Sequence, residues 1–133
     1  MSVNNTLSDF CSRIKNSSRS RVENVLIIKS KKVIKVLDIL LLEGFIKGFS
    51  FDTLDKNKMK VTLKYSNNGD PIVKTIKAIS KSGKRVYSSV SSLWSVQSHF
   101  SGGCVILSTS KGVMSLNQAL KNNLGGELLC YVA

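Results

Sequence analysis

The sequence predicts an α+β fold of two small lobes, and three observations support this prediction. Apolar residues recur at helical spacing in two places before residue 45, whereas later segments alternate apolar and polar residues as strands do. Between the two halves, YSNNGDP at residues 65–71 is the densest turn signal in the chain. A length of 133 residues allows one sizeable core but not two large domains. We expect an N-terminal α/β lobe, residues 1–66, with two helices packed on a short sheet, and a mostly antiparallel β lobe with short helices, residues 72–133.

Two helices are predicted in the N-terminal lobe. A capping box of Thr6 and Asp9 precedes apolar residues at i, i+3, i+4 and i+7, and this amphipathic helix should end near Asn16. Ser30 is suited to cap a second helix, which Gly44 would end. The apolar side of this second helix contains Val33, Ile34, Leu37, Leu40 and Leu41. Both helices therefore have an apolar side that can pack on a sheet.

Strands are expected in most of the remaining chain. Residues 25–28 form a short β-rich run, and alternation near residues 61–65 indicates a hairpin over residues 46–65 with its turn at DKNK. The C-terminal lobe should contain strands within residues 72–79, 84–87, 104–107 and 127–132. Short helices are expected between them, at residues 93–99 and 115–122.

The charge balance indicates a partner rich in phosphate. Twenty Lys and Arg residues against eight Asp and Glu residues give a formal net charge of +12, which attracts nucleic acids or anionic membranes. A membrane span is not expected, because the most apolar window, residues 33–42, contains Lys35 and Asp38. The three cysteines lack a CxxC pair, so we expect buried reduced thiols and no metal site.

The sequence does not indicate a catalytic site. His99 is the only histidine, and no serine lies in a G-x-S-x-G elbow, so a Ser-His-acid triad is not supported. No phosphate-loop motif is complete. One enzymatic alternative is kept, a small phosphate-ligand enzyme with an anion site at residues 108–112 and Glu127 as its acid or base. We expect no cofactor and no small-molecule substrate.

The segment STSKG is the first candidate binding site, and it follows the strand that begins at Cys104. Hydroxyl groups donate and accept hydrogen bonds, which suits ribose 2′-OH groups and base edges. A lysine adds positive charge, and a glycine lets a backbone approach closely. The alternative is a strand-to-helix turn whose hydroxyls only cap the next helix. The residues concerned are Ser108, Thr109, Ser110, Lys111 and Gly112.

Two further basic clusters favour nucleic-acid binding. SKSGKRVY, residues 80–87, combines Lys84 and Arg85 with Tyr87, whose ring can stack on a base. Basic residues also cluster at the end of the first predicted helix and around the start of the second. Either cluster alone is typical of a solvated surface. Three basic turns together with the high net charge favour RNA over that interpretation.

Five segments, in order, resemble the motifs of the bacterial-type small-subunit ribosomal protein eight family. They are DFCSRIKN (9–16), SKKVIKVLDILLLEGFI (30–46), SKSGKRVY (80–87), ILSTSKGVM (106–114) and GGELLCYV (125–132). The resemblance covers nearly the whole chain. It implies a two-lobed α+β protein, not an enzyme, that binds the central domain of the small-subunit ribosomal RNA and supports its folding and assembly. It also implies neighbouring small-subunit ribosomal proteins as partners.

The same resemblance implies which residues contact the RNA. The hydroxyls of residues 108–110 would contact an unpaired region of an RNA helix, Gly112 would provide clearance, and Glu127 would orient hydroxyls or accept from a base amine. Further matched positions are Lys84, Arg85, Tyr87, Gly125 and Gly126 in the C-terminal lobe, and Asp9, Arg13, Lys15, Asn16, Ser30, Lys31 and Lys32 in the N-terminal lobe. Residues 88–103 depart from the family pattern, so no contact is assigned to them.

Residue usage favours an organellar source. Lysine outnumbers arginine 16 to 4, and asparagine and serine are frequent, which is typical of an AT-rich genome. We expect a mitochondrial ribosome. A plastid and the cytoplasm of an AT-rich bacterium are the alternatives.

Overall fold

The computed structural model describes residues 6–81 and 83–133, and over these residues it confirms the α+β class. Residues 1–5 of the predicted N-terminal lobe lie outside the described residues. The elements are α1 (Thr6–Arg19), β1 (Asn24–Ile28), α2 (Lys31–Leu42), β2 (Ile46–Phe51), β3 (Lys58–Leu63), β4 (Ile76–Ala78), β5 (Tyr87–Ser88), a 3-10 turn (Val90–Ser92), α3 (Leu93–His99), β6 (Cys104–Thr109), β7 (Gly112–Ser115), α4 (Leu116–Lys121) and β8 (Gly126–Val132). Among the described helices none is long and apolar enough to cross a membrane.

The N-terminal sheet has the order β1-β3-β2, and both pairings are antiparallel. The predicted hairpin is confirmed as β2 and β3, with the turn between Phe51 and Lys58. Apolar residues of β1 and β3 that pair with each other, such as Val25 with Val61, are buried. This sheet therefore presents an apolar face on which α1 and α2 can pack.

Helix α1 continues to Arg19, three residues beyond the predicted end at Asn16. The prediction was wrong because the serine-rich sequence that follows Asn16 indicated a turn. Ser18 is buried in the structure, so tertiary packing holds the last turn of the helix. Serine has a low helix propensity, but it can lie in the last turn of a helix when that turn packs against the rest of the protein.

Helix α2 begins and ends where the sequence predicts. Ser30 is its N-cap, although the Ser30 side chain makes no cap hydrogen bond. At the other end, Gly44 N–H donates to Leu41 O and Phe45 N–H donates to Leu40 O, which is a Schellman motif. Leu41, which was predicted to lie on the apolar side, is 42% exposed and so lies outside the buried side of the helix. The buried side of α2 consists of Val33, Val36, Leu37, Ile39 and Leu40.

The C-terminal sheet has the order β4-β8-β6-β7, and β5 also pairs with β8. Strand β4 pairs with the C-terminal half of β8, and β5 pairs with its N-terminal end. All these pairings are antiparallel, as predicted. The two strands therefore occupy one edge of β8 in succession, and the basic segment at residues 80–87 connects them.

Two apolar clusters pack against the C-terminal sheet. One joins α1, α2 and the N-terminal sheet to Ile106, Leu129 and Cys130, so this core continues from one half of the chain into the other. The second cluster lies beneath α3 and α4 and includes Leu107 and Leu128. The division into lobes at residues 66 and 72 stays a prediction.

Candidate nucleic-acid interface

The segment STSKG forms a β-hairpin turn, so the alternative of a strand-to-helix turn is wrong. Strand β6 continues to Thr109, which pairs with Gly112 at the start of β7, so Ser110 and Lys111 form the turn. Strand β7 has only four residues, too few for an alternation pattern to reveal it. Helix α4 is capped by Ser115, whose Oγ accepts from the Gln118 N–H at 3.4 Å. The hydroxyls of the turn are therefore not helix caps.

Thr109 shapes the turn with its own side chain. Its Oγ1 donates to Gly112 O at 2.8 Å and accepts from the Lys111 N–H at 3.2 Å. Gly112 has a φ of 115°, which a residue with a side chain rarely adopts. The side chains of Ser110 and Lys111 are exposed at the tip. The turn thus has an internally bonded base and an accessible polar tip.

Tyr87, Glu127 and Ser108 lie opposite one another on three adjacent strands. Tyr87 pairs with Glu127 between β5 and β8, and Glu127 pairs with Ser108 between β8 and β6. Side chains of directly opposed residues share one face of a sheet. Tyr87 is 71% exposed, an unusual state for a tyrosine in a strand. We call these three residues the polar row.

Glu127 forms an ion pair with Arg85. The distance from Arg85 Nη1 to Glu127 Oε2 is 3.3 Å, and the side chains are 35% and 15% exposed, respectively. The guanidinium group has five N–H donors, so donors remain for another ligand. The pair therefore holds Arg85 beside the polar row and neutralises the carboxylate.

The described residues of the basic segment, 80–81 and 83–87, are held at the edge of β8 by local hydrogen bonds. Ser80 is buried, and its Oγ accepts from the Val86 N–H at 2.9 Å. Lys81 and Lys84 exchange two backbone hydrogen bonds, each of 2.9 Å. These contacts place Lys84 at an exposed turn and return the chain to the sheet just before Tyr87.

Gly125 and Gly126 allow three strands to approach closely at this site. A Cβ on Gly126 would overlap the carbonyl group of Ser108, and a Cβ on Gly125 would press against the carbonyl of Ser88. Glycine is therefore required here for packing. It brings the residues before Glu127 against both β5 and β6.

A groove between α1 and β4 brings together lysines from both halves of the chain. It has a volume of about 390 Å³ and includes Lys15 of α1 with Lys77 and Lys81. Only Lys15 of these three was a predicted site residue. Lys77 lies in a three-residue strand with no distinctive pattern, but the spacing of Ser8, Ser12 and Lys15 at i, i+4 and i+7 could have indicated a polar face on α1.

The other predicted N-terminal site residues lie outside this groove. Arg13 Nε is 3.1 Å from Asp9 Oδ2, an ion pair on the exposed side of α1. Asn16 is exposed one turn later. Ser30, Lys31 and Lys32 lie at the N-terminal end of α2. The structure therefore gathers Lys15 and the basic segment at residues 80–87 but leaves the start of α2 as a separate basic position.

The described residues offer no evident metal centre. Within residues 6–81 and 83–133 no group of three His, Cys, Asp or Glu side chains could hold a metal ion. The three cysteines are free thiols, with Cys11 and Cys130 buried. A hydrogen bond that the protonated Cys130 thiol makes with Cys11, together with burial, raises the pKa of Cys130. Cys130 therefore remains a neutral core residue at physiological pH.

The model of the family described as ribosomal protein S8 matches residues 5–133. The chain belongs to this family. The small ribosomal subunit protein uS8 of Mycoplasmopsis agalactiae is 45% identical over 99% of both chains. The proteins of the same description from Orientia tsutsugamushi and Acholeplasma laidlawii are 39% and 37% identical, again over 99% of both chains. The resemblance drawn from the five segments is confirmed.

Membership in the S8 family makes this chain a ribosomal protein of the small subunit. The family is structural and not enzymatic, so the predicted absence of enzymatic activity is confirmed and the phosphate-ligand enzyme is unsupported. Ribosomal RNA and other ribosomal proteins are its partners. The relatives named here are bacterial, and a mitochondrial location stays a prediction.

Proposed function

We propose that this chain binds the central domain of the small-subunit ribosomal RNA directly and thereby supports folding of that domain and assembly of the subunit. The observation that supports this most strongly is the polar row, which lies beside the hydroxyl-rich turn at residues 108–112. A stacking ring, hydroxyl groups and cations at one end of a sheet are the groups that recognise irregular RNA. The resemblance of these segments to the family motifs supports the same assignment.

Each group in this surface has a distinct proposed task. The exposed Tyr87 ring stacks on an unpaired base or a ribose, while the Ser108 and Ser110 hydroxyls bond to 2′-OH groups or base edges. Lys84 and Lys111 contact phosphates. Thr109 acts indirectly, because its hydroxyl already makes two hydrogen bonds within the hairpin.

Glu127 is compatible with an RNA surface because Arg85 neutralises it. An unpaired carboxylate would repel phosphate, whereas the ion pair leaves guanidinium donors directed outside the pair. We assign Arg85 to a phosphate or base edge and Glu127 to the positioning of Arg85. Gly125 and Gly126 set the strand spacing on which this geometry depends.

The groove between α1 and β4 extends the proposed contact along the RNA backbone. The groove has a volume of about 390 Å³ and is lined by Lys15, Lys77 and Lys81. A lysine ammonium binds phosphate as a point charge. Arg13, Asn16 and residues 30–32 would contact further backbone positions. These contacts orient the protein on the RNA but do not read its sequence.

Three substitutions test the proposed division of tasks. Tyr87→Leu and Ser110→Ala should each lower affinity for a central-domain RNA fragment by about tenfold while leaving affinity for an unrelated duplex unchanged. Lys31→Gln should weaken binding to both RNAs equally. Filter binding at several salt concentrations measures both affinities. The reverse pattern would show that the roles are wrongly assigned.

Residue usage supports a mitochondrial ribosome as the site of action, since lysine outnumbers arginine 16 to 4. The RNA partner would then be the mitochondrial small-subunit ribosomal RNA. Fractionation of cells that express a tagged copy tests this, because the proposal requires the tag to co-sediment with mitochondrial small subunits. Co-sedimentation with plastid or bacterial cytoplasmic subunits would contradict it.

A further inference from the structure

A polar cleft lies at the end of β6 that is remote from the hydroxyl-rich turn. The turn follows Thr109 at one end of the strand, whereas the cleft contains Cys104 at the other end. Six extended residues separate these ends by roughly 17 Å. The cleft has a volume of about 260 Å³ and is bounded by the end of α2, the end of α3 with the loop into β6, and the junction of β7 with α4. It is therefore distinct from the proposed RNA surface.

The charge of this cleft is opposite to that of the molecule. Glu43 lies at its wall, and none of the side chains lining the cleft is a lysine or arginine, although the chain has 20 such residues in all. None of the ion pairs found among the described residues involves Glu43. Lys64 lies near the adjacent Gly44, with its Nζ 3.9 Å from where a Cβ on Gly44 would lie, but it does not line the cleft.

Glu43 is also placed where a carboxylate is locally unfavourable. It is the C-cap of α2, at the negative end of the helix dipole, where cations are preferred. A residue type that is unfavourable for its place in the secondary structure often marks a functional position in a natural protein. The carboxylate and the helix end together produce a negative potential that attracts a cation.

Cys104, at the start of β6, lies in the same cleft as Glu43. Burial raises the pKa of the Cys104 thiol to about 11, and the Glu43 carboxylate adds to the increase. A carboxylate affects the ionisation of a thiol in this way only when its field reaches into the cleft. Glu43 therefore acts on the interior of the cleft and not only on bulk solvent.

The remaining lining groups suit a planar cation. The amide groups of Gln97 and Asn117 contact each other at 3.4 Å, and the backbone of Gly102 is exposed at the rim. Phe100 is half-buried in the wall, with its ring centroid 4.9 Å from that of Tyr131. A guanidinium group binds carboxylates and carbonyl oxygens in its plane and packs its face on an aromatic ring.

We infer that this cleft receives an arginine side chain from a neighbouring protein of the small subunit. The inference rests on the proposed place of the chain in that subunit. RNA is the wrong occupant, because a phosphate would meet a carboxylate and the negative end of a helix in a cleft that no lysine or arginine lines. Among protein partners, the charge selects a basic segment over an acidic one.

A photo-crosslinking amino acid at Asn117 tests the inference in assembled small subunits. Asn117 is exposed at the rim of the cleft, so the probe reaches an occupant without altering Glu43. The expected product joins Asn117 to a peptide of another ribosomal protein, within a few residues of an arginine. A product that contains ribosomal RNA, or no product from subunits that contain the probe, would overturn the inference.

Charge variants give the test its specificity. Glu43→Gln should lower the yield of that product by about tenfold, as expected for loss of one partner of a charge pair. Ser101→Arg should lower it as well, because it supplies a competing guanidinium at the rim. The matched control is Glu23→Gln, which removes an exposed carboxylate outside the cleft and should leave the yield unchanged. Equal yields from Glu43→Gln and Glu23→Gln would contradict the proposal.

Binding to isolated RNA distinguishes this inference from the proposed function. Glu43→Gln should bind a central-domain RNA fragment as the unmodified chain does, since the cleft is remote from the RNA surface. Loss of RNA binding in that variant would show that the cleft belongs to the RNA surface and would overturn the inference. Failure of the unmodified chain to bind the fragment would instead contradict the proposed function.

Discussion

The carbonyl group of Ser108 occupies the space that a side chain on Gly126 would need. The two residues lie on neighbouring strands, β6 and β8, where Ser108 is paired with Glu127. Because Gly126 has no side chain, the strands can close and align Ser108, Glu127 and Tyr87 in the polar row. The proposed RNA surface therefore depends on one close backbone approach.

Gly126→Ala should destabilise the protein and disrupt the polar row. The added methyl group must displace backbone and not a flexible side chain, so we expect a loss of about 1–3 kcal/mol in the free energy of unfolding. Urea unfolding and binding to a central-domain RNA fragment measure the two effects. Gly48→Ala is the matched control, because no atom lies within 4 Å of a Cβ at Gly48. Equal stability of the two variants would contradict the packing assignment.

Thr109→Val should weaken the hairpin turn that carries the hydroxyl groups. The substitution removes the hydrogen bonds to Gly112 O and from Lys111 N–H, which should cost about 1–2 kcal/mol in the free energy of unfolding. Affinity for the RNA fragment should fall as the tip loses its fixed shape. Thr109→Ser keeps the hydroxyl and should retain most of both properties. Full RNA binding by Thr109→Val would show that the tip does not depend on these bonds.

Removing a lysine from the groove should reduce the salt dependence of RNA binding. Neutralising Lys15, Lys77 or Lys81 removes one cation from the phosphate backbone, so the slope of log affinity against log salt concentration should fall by about 0.7–0.9 for each. Lysine-to-glutamine variants measured from low to moderate salt test this. Lys60→Gln, on the exposed side of β3, is the control and should leave the slope unchanged. Identical slopes for all four variants would exclude the groove as a phosphate site.

Cys104 should react slowly with alkylating agents at neutral pH. Burial and Glu43 raise its pKa from 9.0 to about 11, so the neutral thiol is favoured in the folded chain. Because the pKa of Cys104 is higher in the folded chain than in the unfolded chain, the neutral thiol stabilises the fold below pH 9. This stabilisation is lost as the pH rises through about 11. At pH 8, alkylation of Cys104 should be about 100-fold slower than in the urea-unfolded chain. Mass spectrometry with iodoacetamide gives the rate, and reaction as fast as in the unfolded chain would contradict the shift.

Periodicity predicted the elements that have an apolar face of sufficient length. Both long helices and the N-terminal hairpin were found mainly from the spacing of apolar residues, with cap and turn residues marking their ends, because burial on one side imposes a period of 3.6 or 2 on the sequence. Strand β7 was missed because its four residues are too few to show an alternation of apolar and polar side chains. The extension of α1 to Arg19 was missed because burial of Ser18 is a tertiary effect that local propensity does not contain.

The candidate site was predictable in its residue types but not in its geometry. Hydroxyl, basic and aromatic residues in short turns indicated RNA, but their pairing across β5, β8 and β6 emerges only when the strands are placed. The sequence could not show that Thr109 is used inside the hairpin or that Glu127 pairs with Arg85. Lys77 carries no distinctive pattern, and only the packing of β4 beside α1 brings it near Lys15.

The contact between the hydroxyl-rich turn and ribosomal RNA is tested most directly by a photo-crosslinking amino acid at Lys111. This exposed turn residue can be replaced without changing Ser108, Thr109 or Ser110. The probe is activated in purified small subunits, and the attached RNA is sequenced. The proposed function requires crosslinks to unpaired nucleotides within one helix of the central domain. Crosslinks to another RNA domain, or to protein alone, would contradict it.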